Sequence, residues 1–415
     1  MEIGNKWLSP EMVVEILMRL SAISVLRCKS VCKLWYTLIS NPFFLKTHLS
    51  LSTRNDHFVN HRLIYLSTIR GGVNLKSCSL YDVLNNNNNN SVNNSLEENY
   101  PMKSLGKSAS IVGCCNGLLC IVVDEDRLFI WNPSIRVSYM LAKCDSEEAW
   151  RGWYGFGYDE SSEDYKVVAI DLNVSRRGEY RNKMRMYSLK TGNWKDIDDF
   201  PHGNTGVSSC TFINGAFHWM SGQYDAIYPY RIISLDLATE TYAEVLQPVY
   251  DDFEGEKFFY LGALGKWLCI VCNNMGSHAD IWVMKKVYGG AKEEDSSWNK
   301  LFSITYPSDD WSFSASFPLC MSNDGKVLYK YRSKLVLYDS KNNSISEINS
   351  DDEGFIQPYT FLESLVPPTG LHLECKRSSS SLVVIYGFPF IGLSVYYYYY
   401  LCYKKHRYAN YVVFQ

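Results

Sequence analysis

Short apolar runs recur along this chain at a spacing of roughly fifty residues, and this repeat limits the possible fold more than any other feature. The first runs start at residues 116, 165, 214, 265 and 324 and read NGLLCIV, YKVVAI, NGAFHWM, GKWLCIV and DGKVLYKY. About ten to twenty residues after each comes a second run: LFIWNPS, MRMYSLKTGNW, RIISLDLATETY, DIWVMKK and LVLYDSKNNS. Each pair predicts two strands joined by a polar turn.

Strand pairs repeated at this interval are typical of the blades of a kelch-like β-propeller. Closing the blades into a ring leaves no long strand edge exposed, and aromatic side chains can fill the spaces between blades. The composition suits this arrangement, because 15% of the residues are aromatic and 31 are tyrosines. The sequence therefore predicts a large all-β region in the form of a propeller, with a large β-sandwich as the alternative.

A helical segment precedes the strands, from about residue 8 to residue 49. Ser9 is a suitable N-cap, and Pro10 suits the first helical position, where its missing N–H costs nothing. Apolar residues at three- and four-residue spacing then form two stripes: Met12, Val13, Ile16, Leu17 and Leu20, followed by Val25, Leu26, Val31, Leu34, Trp35, Leu38 and Ile39. Helices over about forty residues bury too little apolar surface to be stable alone, so we expect this module to pack on a neighbour or partner.

The segment LSPEMVVEILMRLSAISVLRCKSVCKLWYTLISNPFFLKTHL resembles the plant F-box pattern nearly end to end. The matching elements are EIL at 15–17, RL at 19–20, KSVCK at 29–33, Trp35, LI at 38–39 and PFF at 42–44. In that family the helices bind a Skp-type adaptor, which links them to a cullin scaffold carrying the ubiquitin-transfer machinery. The resemblance implies the same partners here, and a module that recruits without catalysing.

The resemblance also implies an adaptor-binding face made of the following residues: Leu8, Pro10, Ile16, Leu17, Leu20, Leu26, Val31, Cys32, Trp35, Leu38 and Ile39. The chain departs from the family pattern, which usually has Pro at the positions of Ser9 and Ser21, Lys near Ile23 and Phe at the position of Cys28. Each lost cap or apolar contact is expected to cost about 1 kcal/mol and to weaken adaptor binding without removing the fold.

The strand region resembles the plant F-box-associated domain. The matching motifs are SIVGCCNGLLCI from 110, WNPS at 131–134, YGFGYDESSEDYKVV at 154–168, FINGAFHWMS at 212–221 and FLESLVPP at 361–368. The later motifs, DIWVMKK and SSWNKLFSI, are similar to those of the S-locus F-box group. The resemblance implies a domain that binds a protein target, and the sequence assigns no residue to that contact.

The two resemblances predict an α+β multidomain chain: an all-α F-box at 1–50, a linker at 51–109, an all-β domain at 110–366 and an atypical or poorly ordered tail at 367–415. The linker holds NNNNNNSVNNS at 85–95, which is too polar to bury and is expected to be a disordered loop. The tail run LVVIYGFPFIGLSVYYYYYLCY approaches the length of a membrane span, but its Gly, Pro and consecutive Tyr residues disfavour a spanning helix.

Bulk properties restrict the partners and the compartment. A formal net charge of -3 provides no basic surface for nucleic acid. The beginning of the chain, MEIGNKWLSPEMVVEIL, does not resemble a secretory signal, so we expect a cytoplasmic or nuclear protein. The 13 cysteines lie mostly in apolar runs and fit a reducing compartment.

Four motifs contain residue types found in catalytic or binding sites. GFGY at 155–158 lacks the remaining glycine and the helix of a phosphate loop, and we interpret it as a tight turn between strands. Cys269 and Cys272 form a lone CxxC that would face opposite sides of a strand, which favours a core role. His218 sits among apolar neighbours, which favours a core histidine. The fourth motif is a cluster of carboxylates expected to form a solvated turn: Asp159, Glu160, Glu163 and Asp164.

These observations predict no catalytic site, cofactor or metal. They favour a substrate-recognition subunit of a Skp–cullin–F-box ubiquitin ligase, whose β domain binds an unknown protein target through loops. One alternative is a non-catalytic interaction or decoy protein that binds a partner without assembling a productive ligase. Another is a glycan-binding or hydrolytic propeller, which requires a polar or carboxylate-lined central site.

Overall fold

A computed structural model of the chain describes most of the helical and strand regions. The described residues are 9–55, 57–69, 72–85, 95–101, 103, 109–124, 127–143, 153–174, 180–201, 210–221, 231–250, 257–274, 277–286, 296–305, 316–331, 334–348, 356–369 and 382–384. Leu8 and the Asn-rich run from residue 86 to residue 94 lie outside this set, as does the Tyr-rich stretch from residue 385 onward.

Four helices form the N-terminal module: α1 (Pro10–Met18), α2 (Ala22–Cys28), α3 (Lys33–Ile39) and α4 (Pro42–Thr53). Short polar side chains cap three of them. The Ser9 hydroxyl accepts a hydrogen bond from the Met12 N–H at 3.3 Å, and the Ser21 hydroxyl caps α2 in the same way. The Asn41 side chain caps α4. The departures at Ser9 and Ser21 therefore supply helix caps.

The propeller consists of six sheets, called blades here, within the described residues. In each blade the strands follow one another from the innermost to the outermost in the order named below. Blade 1 contains β24 (Ile356–Leu362), β1 (His61–Ile69), β2 (Gly72–Ser79) and β3 (Leu96–Glu97), with helix α5 (Leu80–Asn85) between its last two strands. Blade 2 contains β4 (Ala109–Cys115), β5 (Leu118–Val123), β6 (Arg127–Asn132) and β7 (Val137–Met140). Blade 3 contains β8 (Trp153–Asp159), β9 (Asp164–Val174), β10 (Tyr180–Ser188) and β11 (Asn193–Ile197).

The remaining blades follow the same antiparallel pattern. Blade 4 contains β12 (Thr211–Ile213), β13 (Ala216–Ser221), β14 (Arg231–Asp236) and β15 (Tyr242–Val245). Blade 5 contains β16 (Lys257–Leu264), β17 (Trp267–Asn274), β18 (His278–Lys286) and β19 (Ser296–Thr305). Blade 6 contains β20 (Ser316–Met321), β21 (Lys326–Tyr331), β22 (Lys334–Asp339) and β23 (Ser344–Ile348).

The blades close into a ring. Each innermost strand contacts its neighbours in the cyclic order β24, β4, β8, β12, β16 and β20, and β20 returns to β24. Blade 1 joins the two ends of the domain, because β24 pairs antiparallel with β1, with His61 opposite Leu362. This pairing replaces the exposed edges of an open sheet with hydrogen bonds. The propeller prediction is confirmed, and the large sandwich is not formed.

The segment predicted as a linker is corrected by the sheet pairings. Strands β1 and β2 pair over eight positions from Arg62 to Ile69, and they belong to the ring together with α5. The five repeats recognised in the sequence are the central strands of blades 2 to 6. The first blade was missed because its innermost strand lies at the other end of the chain, so that it shows no continuous repeat.

The two ends of the ring differ in their connections. At one end, called the turn face here, the first strand of each of blades 2 to 6 turns into the second, and the third turns into the fourth. Asn116 and Gly117 make one such turn with φ of 53° and 76°, and Asn214 and Gly215 make another with φ of 51° and 78°. Positive φ at both positions is the requirement of a two-residue hairpin turn. At the opposite end, the loop face, the second strand passes to the third and the chain crosses between blades.

The propeller core lies between the blades. Its largest fully buried side chains are aromatic and point into these spaces: Trp131, Trp219, Tyr65, Tyr187, Tyr329, Phe129 and Phe217. Cys269 and Cys272 are both buried and lie at positions of opposite parity in β17, as expected for core cysteines. His218 is also buried, in β13. All ten cysteines of the described residues are free thiols.

The glycines of GFGY lie inside strand β8, which corrects the predicted turn. A Cβ on Gly155 would stand 2.6 Å from the Cys210 sulfur, and one on Gly157 would stand 2.4 Å from the Phe212 ring. These residues belong to the start of blade 4, so the glycines allow two blades to approach closely near the centre of the ring.

A short strand from the tail, β25 (Leu382–Val384), lies antiparallel to β7 at the outer edge of blade 2. The rest of the Tyr-rich tail lies outside the described residues. No helix in the described part of the chain has the length and apolar character needed to cross a membrane.

Candidate docking surface

The helical module exposes apolar side chains that a monomeric protein would ordinarily bury. Leu34 is 71% exposed, Val31 63% and Met12 54%. Other exposed apolar side chains of the helical module are Ile16, Ile23, Tyr36, Phe43 and Leu51. A group of exposed apolar residues on a small helical unit is typical of a protein interaction surface.

The predicted adaptor-binding residues divide into three groups. Pro10, Ile16, Val31 and Cys32 are exposed, and Leu20, Leu26, Trp35 and Leu38 are half-buried. Leu17 and Ile39 are each only 1% exposed and form the core of the module with Ala22, Val25 and Phe44. These two residues cannot contact an adaptor directly, which corrects their assignment.

Leu34, Tyr36 and Met12 were absent from the predicted face although they are among the most exposed apolar residues. Helical periodicity places Leu34 and Met12 on the apolar stripes, but it does not tell which part of a stripe the module itself covers. Exposed Tyr36 carries the Lys29 ammonium over its ring at 4.9 Å. Burial lowers the pKa of Lys29 from its usual value.

Buried His48 connects α4 to the turn after α1. The Nε2 atom of His48 lies 2.8 Å from the Leu20 carbonyl oxygen, and its ring stacks on Phe44. Burial lowers the pKa of His48, and the hydrogen bond to Leu20 opposes this shift. The neutral imidazole therefore donates from Nε2 and holds the module together near neutral pH.

The helical module sits on the turn face of the propeller. Leu49 of α4 packs on the hydrophobic cluster between blades 2 and 3. Leu365 and Ile135 of the propeller pack against the core of the helices. The Lys46 ammonium pairs with the Glu163 carboxylate in the turn between β8 and β9 at 2.5 Å. Contacts from α4 and from the propeller therefore fix the orientation of the exposed apolar face relative to the ring.

The segment 363–366 connects the helices, blade 1 and blade 2. The Glu363 N–H donates to the Asn60 carbonyl oxygen at 2.8 Å, next to the start of β1. The Asn132 amide donates to the carbonyl oxygens of Ser364 and Val366 at 3.0 and 2.8 Å. The residue between these two, Leu365, reaches the helical core.

The centre of the ring is apolar and sulfur-rich. The Cys114 thiol donates to the Thr360 carbonyl oxygen at 3.1 Å, and burial raises the pKa of Cys114 to about 12. Burial also raises the pKa of Tyr359 far above its usual value. Among the described innermost strands the one acidic side chain is Asp159, at the turn face.

The acidic cluster at residues 159–164 has a structural role. The Lys166 ammonium donates to the Asp159 carboxylate at 2.8 Å and to the Leu237 carbonyl oxygen of blade 4. Burial alone would raise the pKa of Asp159, but hydrogen bonds from Lys166 and two serines outweigh burial and hold it well below its usual range. Asp159 and Asp164 are buried, which corrects the expectation of a solvated turn. The described residues contain no group of three His, Cys, Asp or Glu side chains able to hold a metal ion.

A propeller that carries a small helical module with an exposed apolar face is a two-part recognition protein: one part offers a docking surface, and the other offers a ring of loops. Comparison with known families agrees with this class. Residues 6–47 match the F-box domain, and residues 70–367 match the F-box associated beta propeller domain. The chain belongs to the family of F-box proteins with an F-box-associated β-propeller.

Relatives of this chain match it over nearly the full length of both proteins. An F-box/kelch-repeat protein of Arabidopsis thaliana is 31% identical over 370 residues, which cover 87% of this chain and 96% of the relative. F-box protein CPR1 of Arabidopsis thaliana is 27% identical, covering 90% of each chain. Among solved structures, an oligogalacturonate lyase in complex with manganese is 14% identical with a TM-score of 0.41, covering 70% of this chain and 74% of the lyase. This architecture supports a general role in substrate recognition for Skp–cullin–F-box ligases.

Proposed function

We propose that this chain is the target-binding subunit of a Skp–cullin–F-box ubiquitin ligase and carries out no catalytic step itself. The F-box binds a Skp-type adaptor through its exposed apolar side chains, and the adaptor connects it to a cullin scaffold. The loop face of the propeller binds a protein target. The complex assembles in the cytoplasm or the nucleus.

The observation that carries this proposal is the exposed apolar face of the helices. Val31 and Leu34 keep most of their contact with water when the module folds, because both stay more than half exposed. Covering them with a partner removes that apolar surface from water, which is favourable by about 25 cal/mol per Å². Exposed apolar surface of this kind is typical of an interface and is otherwise an aggregation hazard.

The positions of the two surfaces support a division of labour. The helices contact the turn face through Leu49, Ile135 and Leu365, which leaves the loop face free of them. An adaptor on the helices and a target on the loops can therefore bind at the same time. Fixed contacts between module and ring would hold a bound target at a constant distance from the ubiquitin-transfer machinery.

The proposal is tested by titrating purified full-length chain with a purified plant Skp-type adaptor in a calorimeter. Replacing both Val31 and Leu34 by Ala is expected to weaken binding by about 2 kcal/mol or more, close to thirtyfold in Kd. Val249→Ala on the loop face is the matched control, because Val249 is 91% exposed and far from the helices in the chain. An adaptor that does not bind the wild-type chain contradicts the ligase role and favours the decoy alternative.

A further inference from the structure

An uncompensated lysine lies at the loop-face end of the seam between blades 6 and 1. Lys330 of β21 pairs in register with Phe317 and Leu335. Because side chains alternate along a strand, Lys330 lies on the same side of the sheet as Leu328. Leu328 packs against Leu63 of β1, so this side of blade 6 faces blade 1.

A buried hydroxyl on blade 1 faces the same seam. Ser67 alternates with Leu63 and Tyr65, both of which pack against blade 6. The side chain of Ser67 is fully buried, and its hydroxyl has no hydrogen-bond partner among the described residues. Ser67 is near the loop-face end of β1, opposite Asn74 of β2. Buried hydroxyls are ordinarily hydrogen-bonded, so this group needs an explanation.

The charge of Lys330 is also uncompensated. Its ammonium lies 5.4 Å from the centre of the Phe317 ring and forms no ion pair within the described part of the chain. Burial lowers its pKa, which shows that the surroundings disfavour the cation. The other lysines of strands β21 and β22 have carboxylate neighbours. Lys334 pairs with Glu347 at 2.8 Å, and Lys326 lies 3.8 Å from Asp324.

We propose that this seam is an anion site of the target-binding surface, in which Lys330 and Ser67 bind a carboxylate or phosphate group of the target. The proposal rests on the proposed function and gives it a substrate class, a protein segment with an acidic or phosphorylated side chain. The ammonium supplies the counter-charge, the serine hydroxyl donates a hydrogen bond, and the Phe317 ring provides an apolar wall. A desolvated cation binds an anion more strongly than a solvated one, because less water must be displaced.

The test uses the full chain bound to its Skp-type adaptor and a peptide array. Each fluorescein-labelled decapeptide with a central Glu or phosphoserine is matched by the same peptide with Gln or Ser. The wild-type chain is expected to bind anionic members at least tenfold more tightly than their matches. The stronger of the two anionic series identifies the group as carboxylate or phosphate.

Two variants and a control locate the site. Lys330→Gln is expected to abolish the preference for anionic members, and Ser67→Ala to reduce it severalfold. Lys334→Gln removes a lysine of the same blade that already has a carboxylate partner, and its Kd values are expected to stay within twofold of wild type. No anionic preference in the wild type, or equal losses in Lys330→Gln and Lys334→Gln, overturns the proposal.

Stability and adaptor binding keep these outcomes interpretable. Lys330→Gln removes a half-buried cation, so its melting temperature is expected to equal or exceed that of the wild type. A clear fall in melting temperature shows that the lysine supports the fold instead. Adaptor affinity measured on the same preparations reports on the ligase role alone, because the helices lie on the turn face. A wild-type chain that binds the adaptor but shows no preference for anionic peptides therefore overturns the anion site and leaves the proposed function standing.

Discussion

Adjacent residues of α1 have opposite surroundings. Leu17 is packed in the core of the helical module, whereas Ile16 is 46% exposed. Both belong to the same apolar stripe of the sequence, but a helix of nine residues can turn only part of that stripe inward. A difference of one position therefore separates a residue that holds the module together from one available to a partner.

Leu17→Ala is expected to lower the free energy of unfolding of the helical module by about 2–5 kcal/mol, because it leaves a cavity. Ile16→Ala is expected to lower it by less than about 0.5 kcal/mol and to weaken adaptor binding instead. Urea unfolding followed by circular dichroism measures the first effect, and calorimetric titration with adaptor measures the second. Equal destabilisation by the two changes would contradict the burial of Leu17.

The pH dependence of stability is expected to contain a contribution from His61. Burial lowers the pKa of His61 from 6.5 to about 4, and its Nδ1 has no hydrogen-bond partner among the described residues. The unfolded chain takes up the proton first, so stability is complete above pH 6.5 and is lost as the pH falls towards 4. Between pH 7 and pH 5 the loss is on the order of 2 kcal/mol.

Replacing His61 by Gln isolates this contribution. Urea midpoints at pH 7 and pH 5 are expected to differ less for His61→Gln than for the wild type, because the titrating group is gone. His57→Gln is the control, since His57 is exposed four residues earlier in the chain. A pH dependence that is unchanged in His61→Gln, or reduced equally in His57→Gln, would show that His61 does not sense the difference.

At the scale of the element, segment 363–366 contacts three parts of the molecule: the start of β1, blade 2 and the helical module. It continues β24 beyond the ring closure. Its sequence, ESLV, has no strand or helix pattern that marks this role. The role depends on Asn132, which ends β6 and is fully buried.

Asn132→Ala is expected to lower the stability of the propeller by about 2–4 kcal/mol. It removes the hydrogen bonds to Ser364 and Val366 and the one that the Asn132 side chain accepts from the Ser134 N–H, leaving buried backbone groups unpaired. Thermal unfolding measures the loss. Asn193→Ala, at an exposed turn of blade 3, is expected to change stability by less than about 0.5 kcal/mol. A small effect at Asn132 would mean that water replaces these hydrogen bonds.

At the scale of the whole molecule, the contact between helices and ring is the feature that makes one body of the two parts. Leu49 of α4 is its propeller-facing apolar residue, and Leu51 on the same helix is 44% exposed. The Lys46–Glu163 pair is exposed and contributes little, about 0 to 1 kcal/mol. The apolar contacts therefore carry most of this interface.

Leu49→Asp is expected to loosen the helices from the ring while leaving the blades folded, because it buries a carboxylate without a partner. Hydrogen exchange followed by mass spectrometry is expected to speed up in α1 to α4 and to stay unchanged in the strands of blades 4 to 6. Leu51→Asp is the control and is expected to leave both regions as in the wild type. Equal exchange in the two variants would contradict a fixed orientation of the module.

The sequence by itself determined the repeated strand pairs, the helical module and the family. Runs such as NGLLCIV and NGAFHWM carry their hairpin turns and their alternating apolar residues within a few positions, so local chemistry is sufficient to identify them. Ser9 and Pro10 likewise predict the start of α1 from local sequence alone.

The tertiary structure decided everything that depends on partners distant in the chain. Blade 1 is built from strands at opposite ends of the domain, so no local period reveals it. Gly155 and Gly157 have no room for a side chain because blade 4 closely approaches their strand. Leu17 differs from Ile16 because Phe44 and Ile39 pack with Leu17 in the core of the module. Lys330 lies next to blade 1 because closure of the ring places blade 6 beside blade 1. Burial and the absence of compensating charge are properties of packing, and a linear pattern of residues does not specify which elements pack together.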